Sequence, residues 1–271
     1  MSNISSDQIK ECVEAVRENQ PLIGSITSSS TSNLVSRSQS AIGGFPLIVN
    51  MSDEAETMIE KSNAFYINLG TMLPVFEDTI PQAGRILSNS DKKWVLDPSG
   101  IGMGSLRTRL LRQFKGYKPT IIKGTPAEIL SLANLWSLEG GKACNNLRDQ
   151  PSIEEATEAA KSIAEHTAGV TIVTHKDTLM TDGEDVYTIE GQSKYLKRAT
   201  GAYAVLGGLV ATAATHSEAN VAALTGILTL KQAAMIAEEK SEGIGTFETQ
   251  LIDALYNIDG DEVVKYPFTK V

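Results

Sequence analysis

Short apolar segments typical of β-strands alternate with helical patterns along most of the chain. The predicted strands lie at 21–27, 45–49, 64–69, 94–96, 120–122 and 170–174. The predicted helices lie at 7–19, 28–44, 53–61, 80–87, 105–114, from 125, 152–166, 217–240 and 246–256. Strands that alternate with helices pair in parallel and are covered on both faces. The sequence therefore predicts an α/β fold with a mostly parallel sheet between two helical layers, extended by a hairpin at 178–189 that turns at Asp182-Gly183.

Composition excludes several classes of partner and predicts one domain. The 271 residues show no break in composition and no internal repeat, so we expect a single domain over 1–271. With 24 basic and 33 acidic residues and few aromatics, the chain does not resemble a nucleic-acid or membrane-surface binder. Cys12 and Cys144 show no disulfide or metal spacing, and the first 20 residues are polar and helix-like. We therefore expect a cytoplasmic protein.

The stretch 195–214 changes from basic and polar to small and apolar at Thr200-Gly201. Thr200 is a good N-cap, and Gly201 lets the backbone approach a ligand closely. The start of a helix offers free N–H groups and a positive dipole end, which suit a phosphate. The same pattern is typical of a buried helix that packs tightly through small residues, and the pattern alone favours this second interpretation.

Polar residues that follow the predicted strands are the candidates for chemistry, because ligands of parallel sheets bind at the carboxyl ends of strands. Asp97 and Glu128 could hold Mg²⁺, which prefers carboxylate oxygen, and Lys123 could neutralise a phosphate. Each has a structural alternative. Asp97 precedes Pro98 in a turn, Glu128 is explained as the capping-box partner of Thr125, and a lysine at a strand end is commonly solvated.

Other phosphate-binding and hydrolytic motifs are absent from the sequence. Residues 100–104 (GIGMG) match a dinucleotide-binding loop only loosely, since the third glycine comes one position early. There is no GxxxxGK[ST] loop and no GxSxG elbow.

Taken together, several stretches resemble the hydroxyethylthiazole kinase family of the ribokinase-like superfamily. Residues 21–27 (PLIGSIT) resemble the family's PLVHNITN, 41–48 (AIGGFPLI) its AxGASPVM, 68–71 (NLGT) its NIGT, and 95–100 (VLDPSG) its VLDPVG. Residues 123–129 (KGTPAEI) occupy the position of the family's RGNASEI, and residues 200–204 (TGAYA) that of its TGTGC. Residues 173–174 match the start of its VTG, and residues 181–183 match its TDG. Residues 239–256 resemble its C-terminal glycine-rich region. The likeness covers nearly the whole chain in the right order.

The resemblance implies an activity and a set of site residues. Family members transfer the γ-phosphoryl group of ATP to the hydroxyl of 4-methyl-5-(2-hydroxyethyl)thiazole with Mg²⁺, as trimers with sites at subunit boundaries. The implied catalytic positions are Gly201 and Ala202, as an anion hole, and Ala204. The implied substrate positions are Ile48, Gly201, Ser25 and Thr27. The implied ATP positions are Lys123, Thr174 and Asn68, and the implied metal positions are Asp97 and Glu128.

The departures from the family pattern fall mostly on the substrate side. The family's cysteine, placed to accept the hydroxyl proton, is Ala204 here, and a family glycine is Tyr203. The family's His-Asn is Gly24-Ser25, its serine before the proline is Phe45, and its arginine is Lys123. Loss of a general base typically costs ~10²–10⁴-fold in rate, whereas phosphoryl transfer depends mostly on positioning and charge. Three hypotheses remain open: a slower thiazole kinase, a non-catalytic binding homologue, and a kinase of another small alcohol.

Overall fold

The computed structural model describes residues 3–144, 149–199 and 201–271, in which one nine-stranded sheet separates two layers of helices. The strands are β1 (Leu22–Ile26), β2 (Phe45–Ile48), β3 (Ala64–Asn68), β4 (Lys93–Asp97), β5 (Ile121–Gly124), β6 (Val170–Thr174), β7 (Thr178–Thr181), β8 (Val186–Ile189) and β9 (Thr269–Lys270). Their order across the sheet is β2-β1-β3-β4-β5-β6-β7-β8-β9. The strands from β2 to β6 pair in parallel, and β7, β8 and β9 continue the sheet in antiparallel pairing.

The helices pack on the two faces of the sheet in two groups. They are α1 (Ser6–Asn19), α2 (Ser32–Ala41), α3 (Ser52–Lys61), α4 (Phe76–Ser88), α5 (Ser105–Tyr117), α6 (Pro126–Trp136), α7 (Thr157–Thr167), α8 (Ala202–Ala213), α9 (Ala219–Glu239), α10 (Ile244–Asn257) and α11 (Gly260–Val263). One apolar cluster joins α1, α2, α8, α9 and α10 to one face of the sheet. A second cluster joins α3 to α7 to the other face. The predicted three-layer α/β architecture is confirmed.

Local sequence chemistry explains where most helices begin. α1 and α6 start with complete capping boxes, in which Ser5 pairs with Gln8 and Thr125 with Glu128. The hairpin is confirmed, with its turn between Thr181 and Val186. α9 has the length and apolar composition of a membrane span, but 72% of its most apolar window is buried inside the protein, as in a core helix.

Several predicted boundaries were wrong. α4 begins at Phe76, well before the predicted start at 80, and Pro81 lies inside it, where it removes one helical N–H donor. The segment 152–155 makes the expected reciprocal bonds, but the α-helix begins only at Thr157.

Two further differences concern the C-terminal helices. Ser217 does not cap α9: its hydroxyl donates to the Ala213 carbonyl at 2.9 Å, and Glu218 occupies the N-cap. α10 is not the last helix, since α11 and the edge strand β9 follow it. The expected N-cap Thr200 lies outside the described residues.

Candidate active site

Two adjoining cavities lie along the carboxyl ends of the parallel strands. The larger has a volume of about 620 Å³ and the smaller about 270 Å³. They share four lining residues: Thr125, Glu128, Thr174 and Tyr203. The topology places the cavities here because β3, β4, β5 and β6 run in parallel and end at one edge of the sheet, beside the start of α8.

Asp97, at the end of β4, is the centre of a buried polar cluster. Its Oδ2 accepts hydrogen bonds from Lys123 Nζ at 2.5 Å, Asn68 Nδ2 at 2.7 Å and the Tyr66 hydroxyl at 3.2 Å. Its Oδ1 accepts from Ser99 Oγ at 2.6 Å and from the Ser99 N–H at 3.2 Å. Both carboxylate oxygens are therefore satisfied by protein donors.

The Asp97–Lys123 pair is an ion pair shielded from water. The two side chains are only 1% and 3% exposed. Lys123 Nζ also donates to the Tyr203 carbonyl at 3.0 Å, which ties the end of β5 to the first turn of α8. Burial and the negative charge of Asp97 raise the pKa of Tyr66 well above its ordinary value, so its hydroxyl stays a donor.

Glu128 lies at the junction of the two cavities. Its Oε2 accepts from the N–H and hydroxyl of Thr125 at 2.8 and 2.9 Å, and its Oε1 accepts from the Gly100 N–H at 3.1 Å. The capping-box interpretation is therefore correct, but it leaves Oε1 with a free lone pair beside both cavities. Across the described ranges, no group of three or more His, Cys, Asp or Glu side chains could hold a metal ion by itself.

The start of α8 forms one wall of the smaller cavity. Gly201 has φ of +84°, and a Cβ there would lie 2.8 Å from Thr31 Cγ2, so glycine is required for both conformation and space. Within the part of the chain that the structure describes, no side chain caps this helix. The N–H of Ala202 donates to the Ala199 carbonyl at 3.2 Å, so in this state it is not free for an anion.

Tyr203 lines both cavities. Its hydroxyl donates to Gln192 Oε1 at 2.8 Å, which holds the ring toward the segment after β8. Burial raises the pKa of this hydroxyl, and the bond to Gln192 opposes the rise. Ala204 lines the smaller cavity and offers no proton acceptor.

The structure brings most of the predicted site residues to one place. Seven of them line the smaller cavity: Asn68, Asp97, Lys123, Glu128, Thr174, Gly201 and Ala204. Thr174 also links two strands, since its hydroxyl donates to the Gly124 carbonyl at 3.1 Å.

Four other predicted residues lie elsewhere. Of the described residues that line either cavity, none is Ser25, Thr27, Ile48 or Ala202. Ser25 faces the interior, where its hydroxyl accepts from Gln39 Nε2 at 3.3 Å. Ile48 ends the edge strand β2.

Sequence reasoning missed Tyr66, Ser99 and Gln192. Tyr66 precedes Asn68 by two positions in β3, so strand alternation places both side chains on the same face. Ser99 follows Asp97 by two positions, the spacing of a turn that an aspartate closes. For Gln192 the sequence carried no such signal.

Comparisons of sequence and fold with known proteins point to one family. The sequence profile described as "Hydroxyethylthiazole kinase family" matches residues 13–261. A hydroxyethylthiazole kinase of Bifidobacterium longum subsp. infantis is 35% identical over 280 aligned residues, which cover 96% of this chain and 89% of that one. The solved structure of a hydroxyethylthiazole kinase protein from Pyrococcus horikoshii OT3 superposes with a TM-score of 0.87 at 26% identity, covering 98% and 99% of the two chains.

A more distant structure shows the wider fold class. A ribokinase-like superfamily protein from Enterococcus faecalis V583 matches with a TM-score of 0.65 at 10% identity, over 97% of this chain and 95% of that one. The fold is therefore ribokinase-like, and the chain belongs to the hydroxyethylthiazole kinase family.

Proposed function

We propose that this protein transfers the γ-phosphoryl group of ATP to the hydroxyl of 4-methyl-5-(2-hydroxyethyl)thiazole, a step of thiamine synthesis or salvage. The observation that carries this proposal is the pair of adjoining cavities that share Glu128, Thr174 and Tyr203, with Lys123 and the start of α8 on the wall of the smaller one. One is large enough for a nucleotide, and the other is small enough for a single-ring alcohol. Family membership supports the same reaction.

ATP occupies the larger cavity in this proposal, with its phosphates directed to the junction. The hydroxyl of Thr174 and the ammonium of Lys123 contact the phosphates, Asn68 supports this side through its bond to Asp97, and the Gly201 turn receives the transferring group. The acceptor alcohol occupies the smaller cavity. Phosphoryl transfer has a loose transition state, so fixed donors and charge at the junction supply most of the catalysis.

Mg²⁺ fits the donor set through Glu128, whose Oε1 keeps a free lone pair beside both cavities. Asp97 would contribute its negative charge nearby without ligating the ion, since five protein hydrogen bonds occupy its oxygens. Bound Mg²⁺ supplies charge neutralisation for the phosphates, and it commonly retains several waters beside one or two carboxylates.

The missing proton acceptor at Ala204 predicts a slow enzyme. We expect the acceptor proton to pass to water or to phosphate oxygen late in the transfer, at a cost of ~10²–10⁴-fold in kcat relative to a site with a base.

The smaller cavity also supports a second candidate for the acceptor alcohol. Ser28 Oγ lies 2.6 Å from Thr71 Oγ1 and 2.8 Å from Ser30 Oγ, and these hydroxyls line the smaller cavity. This polar wall favours, as the second candidate, a small alcohol with more hydrogen-bonding groups.

We further propose a cytoplasmic homotrimer of one-domain subunits, 1–271, with sites at the subunit boundaries. Ile48 supports this arrangement because it ends an edge strand away from its own protomer's cavities. Phe45, on the same strand, is 59% exposed. Mixing an Ile48→Asp chain with an Asp97→Ala chain tests the boundary: mixed trimers recover activity when the two residues belong to different subunits of one site, and stay inactive otherwise.

The function is tested by ADP release with ATP, Mg²⁺ and the thiazole alcohol, comparing wild type, Ala204→Cys and Asp97→Ala. Turnover in the wild type that disappears in an Asp97→Ala protein that remains folded supports the kinase. Activity that appears only in Ala204→Cys indicates an intact site that lacks its base. If all three are inactive while ATP binds, the protein is a binding homologue or uses another alcohol, and a panel of small primary alcohols separates these two cases.

A further inference from the structure

Lys231, on α9, is a buried cation behind the larger cavity. Only 4% of the residue is exposed. Its Nζ donates to the carbonyl oxygens of Lys176 at 3.2 Å and Ile189 at 3.1 Å, and also to that of Gly191. All three donors of an ammonium group are thus used on backbone carbonyls.

These carbonyls belong to two segments that form one wall of the larger cavity. The loop between β6 and β7 contributes His175 and Lys176, and the segment after β8 contributes Gln192. Gln192 Oε1 in turn accepts a hydrogen bond from the hydroxyl of Tyr203, at the junction of the two cavities. A single side chain of α9 therefore connects both halves of this wall.

Several charged and titratable groups surround the ammonium of Lys231. Asp177 attracts the ammonium, and its carboxylate also accepts the Gly191 N–H at 2.7 Å. The centre of the Tyr266 ring lies 5.8 Å from Nζ. His175 and Tyr203 line the same small void as Lys231. Burial lowers the pKa of Lys231 to about 8, against the attraction of Asp177.

Protonation decides how many of these bonds exist. The ammonium form donates three hydrogen bonds, whereas the neutral amine donates two and points a lone pair at the third carbonyl. A carbonyl left without its donor in a buried place is unfavourable, so the two segments are held less firmly when the proton is lost.

We propose that Lys231 is a positioning residue for nucleotide binding, whose ammonium joins the 175–177 loop to the 190–192 segment and so fixes the wall against which ATP binds. The proposal rests on the assignment of the larger cavity to ATP. Because Lys231 lines neither of the two cavities and acts only through this wall, it affects the affinity for ATP and leaves the phosphoryl-transfer step unchanged.

The test compares Lys231→Met with Thr225→Val. Thr225 lies on the same helix, is as deeply buried as Lys231 and lines neither of the two cavities, so its replacement is a matched control. ATP binding is measured by calorimetry without acceptor, and KM for ATP and kcat are measured with it. We expect Lys231→Met to weaken ATP binding roughly tenfold with kcat within about twofold of wild type, and Thr225→Val to leave both unchanged.

The pH dependence of ATP affinity separates a positioning role from a merely structural one, because a structural residue would not change it. Since the protonated form binds ATP better, the affinity of the wild type should fall as pH rises from 7 to 9, with its midpoint near the pKa of about 8. The Lys231→Met profile should be flat, and Thr225→Val should follow the wild type. If Lys231→Met does not fold, the wild-type profile decides.

Two outcomes overturn the proposal: unchanged ATP affinity in Lys231→Met, or a flat wild-type profile across this range. Wild-type protein that binds no ATP at all would overturn the function proposed above together with this inference. Firm ATP binding with no effect at Lys231 would overturn only the inference.

Discussion

Removal of one partner from the buried Asp97–Lys123 pair should destabilise the whole fold. The two charges lie 2.5 Å apart with almost no exposure, so their attraction at an effective dielectric constant of about 20 is about 7 kcal/mol. Desolvation offsets much of this in the intact pair, but a single substitution leaves the other charge buried without its partner, which typically costs ~3–5 kcal/mol. After Lys123→Met, Asp97 keeps four hydrogen bonds, so we expect a loss of about 3 kcal/mol.

A double-mutant cycle tests this reasoning. Asp97→Asn alone leaves the Lys123 ammonium buried with only neutral acceptors, the Tyr203 carbonyl and an amide oxygen, and we expect a similar loss. The double variant carries no buried charge, so the two effects should be non-additive by about 2 kcal/mol. Urea unfolding, followed by tryptophan fluorescence and extrapolated to water, measures all four proteins.

The exposed pair Arg109–Glu77 provides the control. Each of its side chains is 56% exposed, and Arg109→Met should cost no more than ~1 kcal/mol. Losses below about 1 kcal/mol in both single variants at the buried pair, or effects that simply add, would refute the reasoning.

Three further substitutions test the surroundings of the site. Tyr66→Phe removes one donor to Asp97 and should cost about 1 kcal/mol in urea unfolding with a measurable fall in kcat; unchanged stability and kcat would contradict this. Gly207→Ala places a Cβ 2.3 Å from the Tyr66 ring, so overpacking of ~1–3 kcal/mol should exceed the gain of about 1 kcal/mol in helix propensity, and a raised melting temperature would show the opposite. Thr125→Ala removes the capping partner of Glu128 and should lower the unfolding free energy by about 1 kcal/mol, which a denaturation curve identical to wild type would exclude.

Much of the architecture could be predicted because the parallel strands are short, apolar and separated by recognisable caps and glycines. The errors came where local signals and tertiary packing disagree. At Pro81 the sequence indicates a helix start, but α4 extends a full turn before it, since Phe76 and Ile80 pack into the core. β9 is two residues long and has no pattern of its own, so it could be found only from its pairing with β8.

The location of the site was predictable, but its bonding was not. The rule that parallel sheets bind ligands at strand ends brought Asp97, Lys123 and Thr174 together correctly. That rule does not say which way a side chain points. Ser25 was expected at the substrate, but its hydroxyl faces the interior and bonds to Gln39. Nor does the rule reveal that Asp97 and Lys123 form an ion pair with each other. That pairing depends on the distance between β4 and β5, which neither segment of sequence encodes alone.

The position of β2 at one border of the sheet has a consequence for behaviour at high concentration. The N–H groups of Phe45 and Val49 donate to carbonyls of Pro21 and Ser25 at 2.7 and 2.9 Å, so alternate N–H groups of this strand face β1. The intervening positions face outward, and one of them is Pro46, which has no N–H to offer. The opposite border is the two-residue β9, where Lys270 bonds to Asp185. Both borders therefore present few free donors to a strand of another chain, and the sheet is protected at each end against edge-to-edge aggregation.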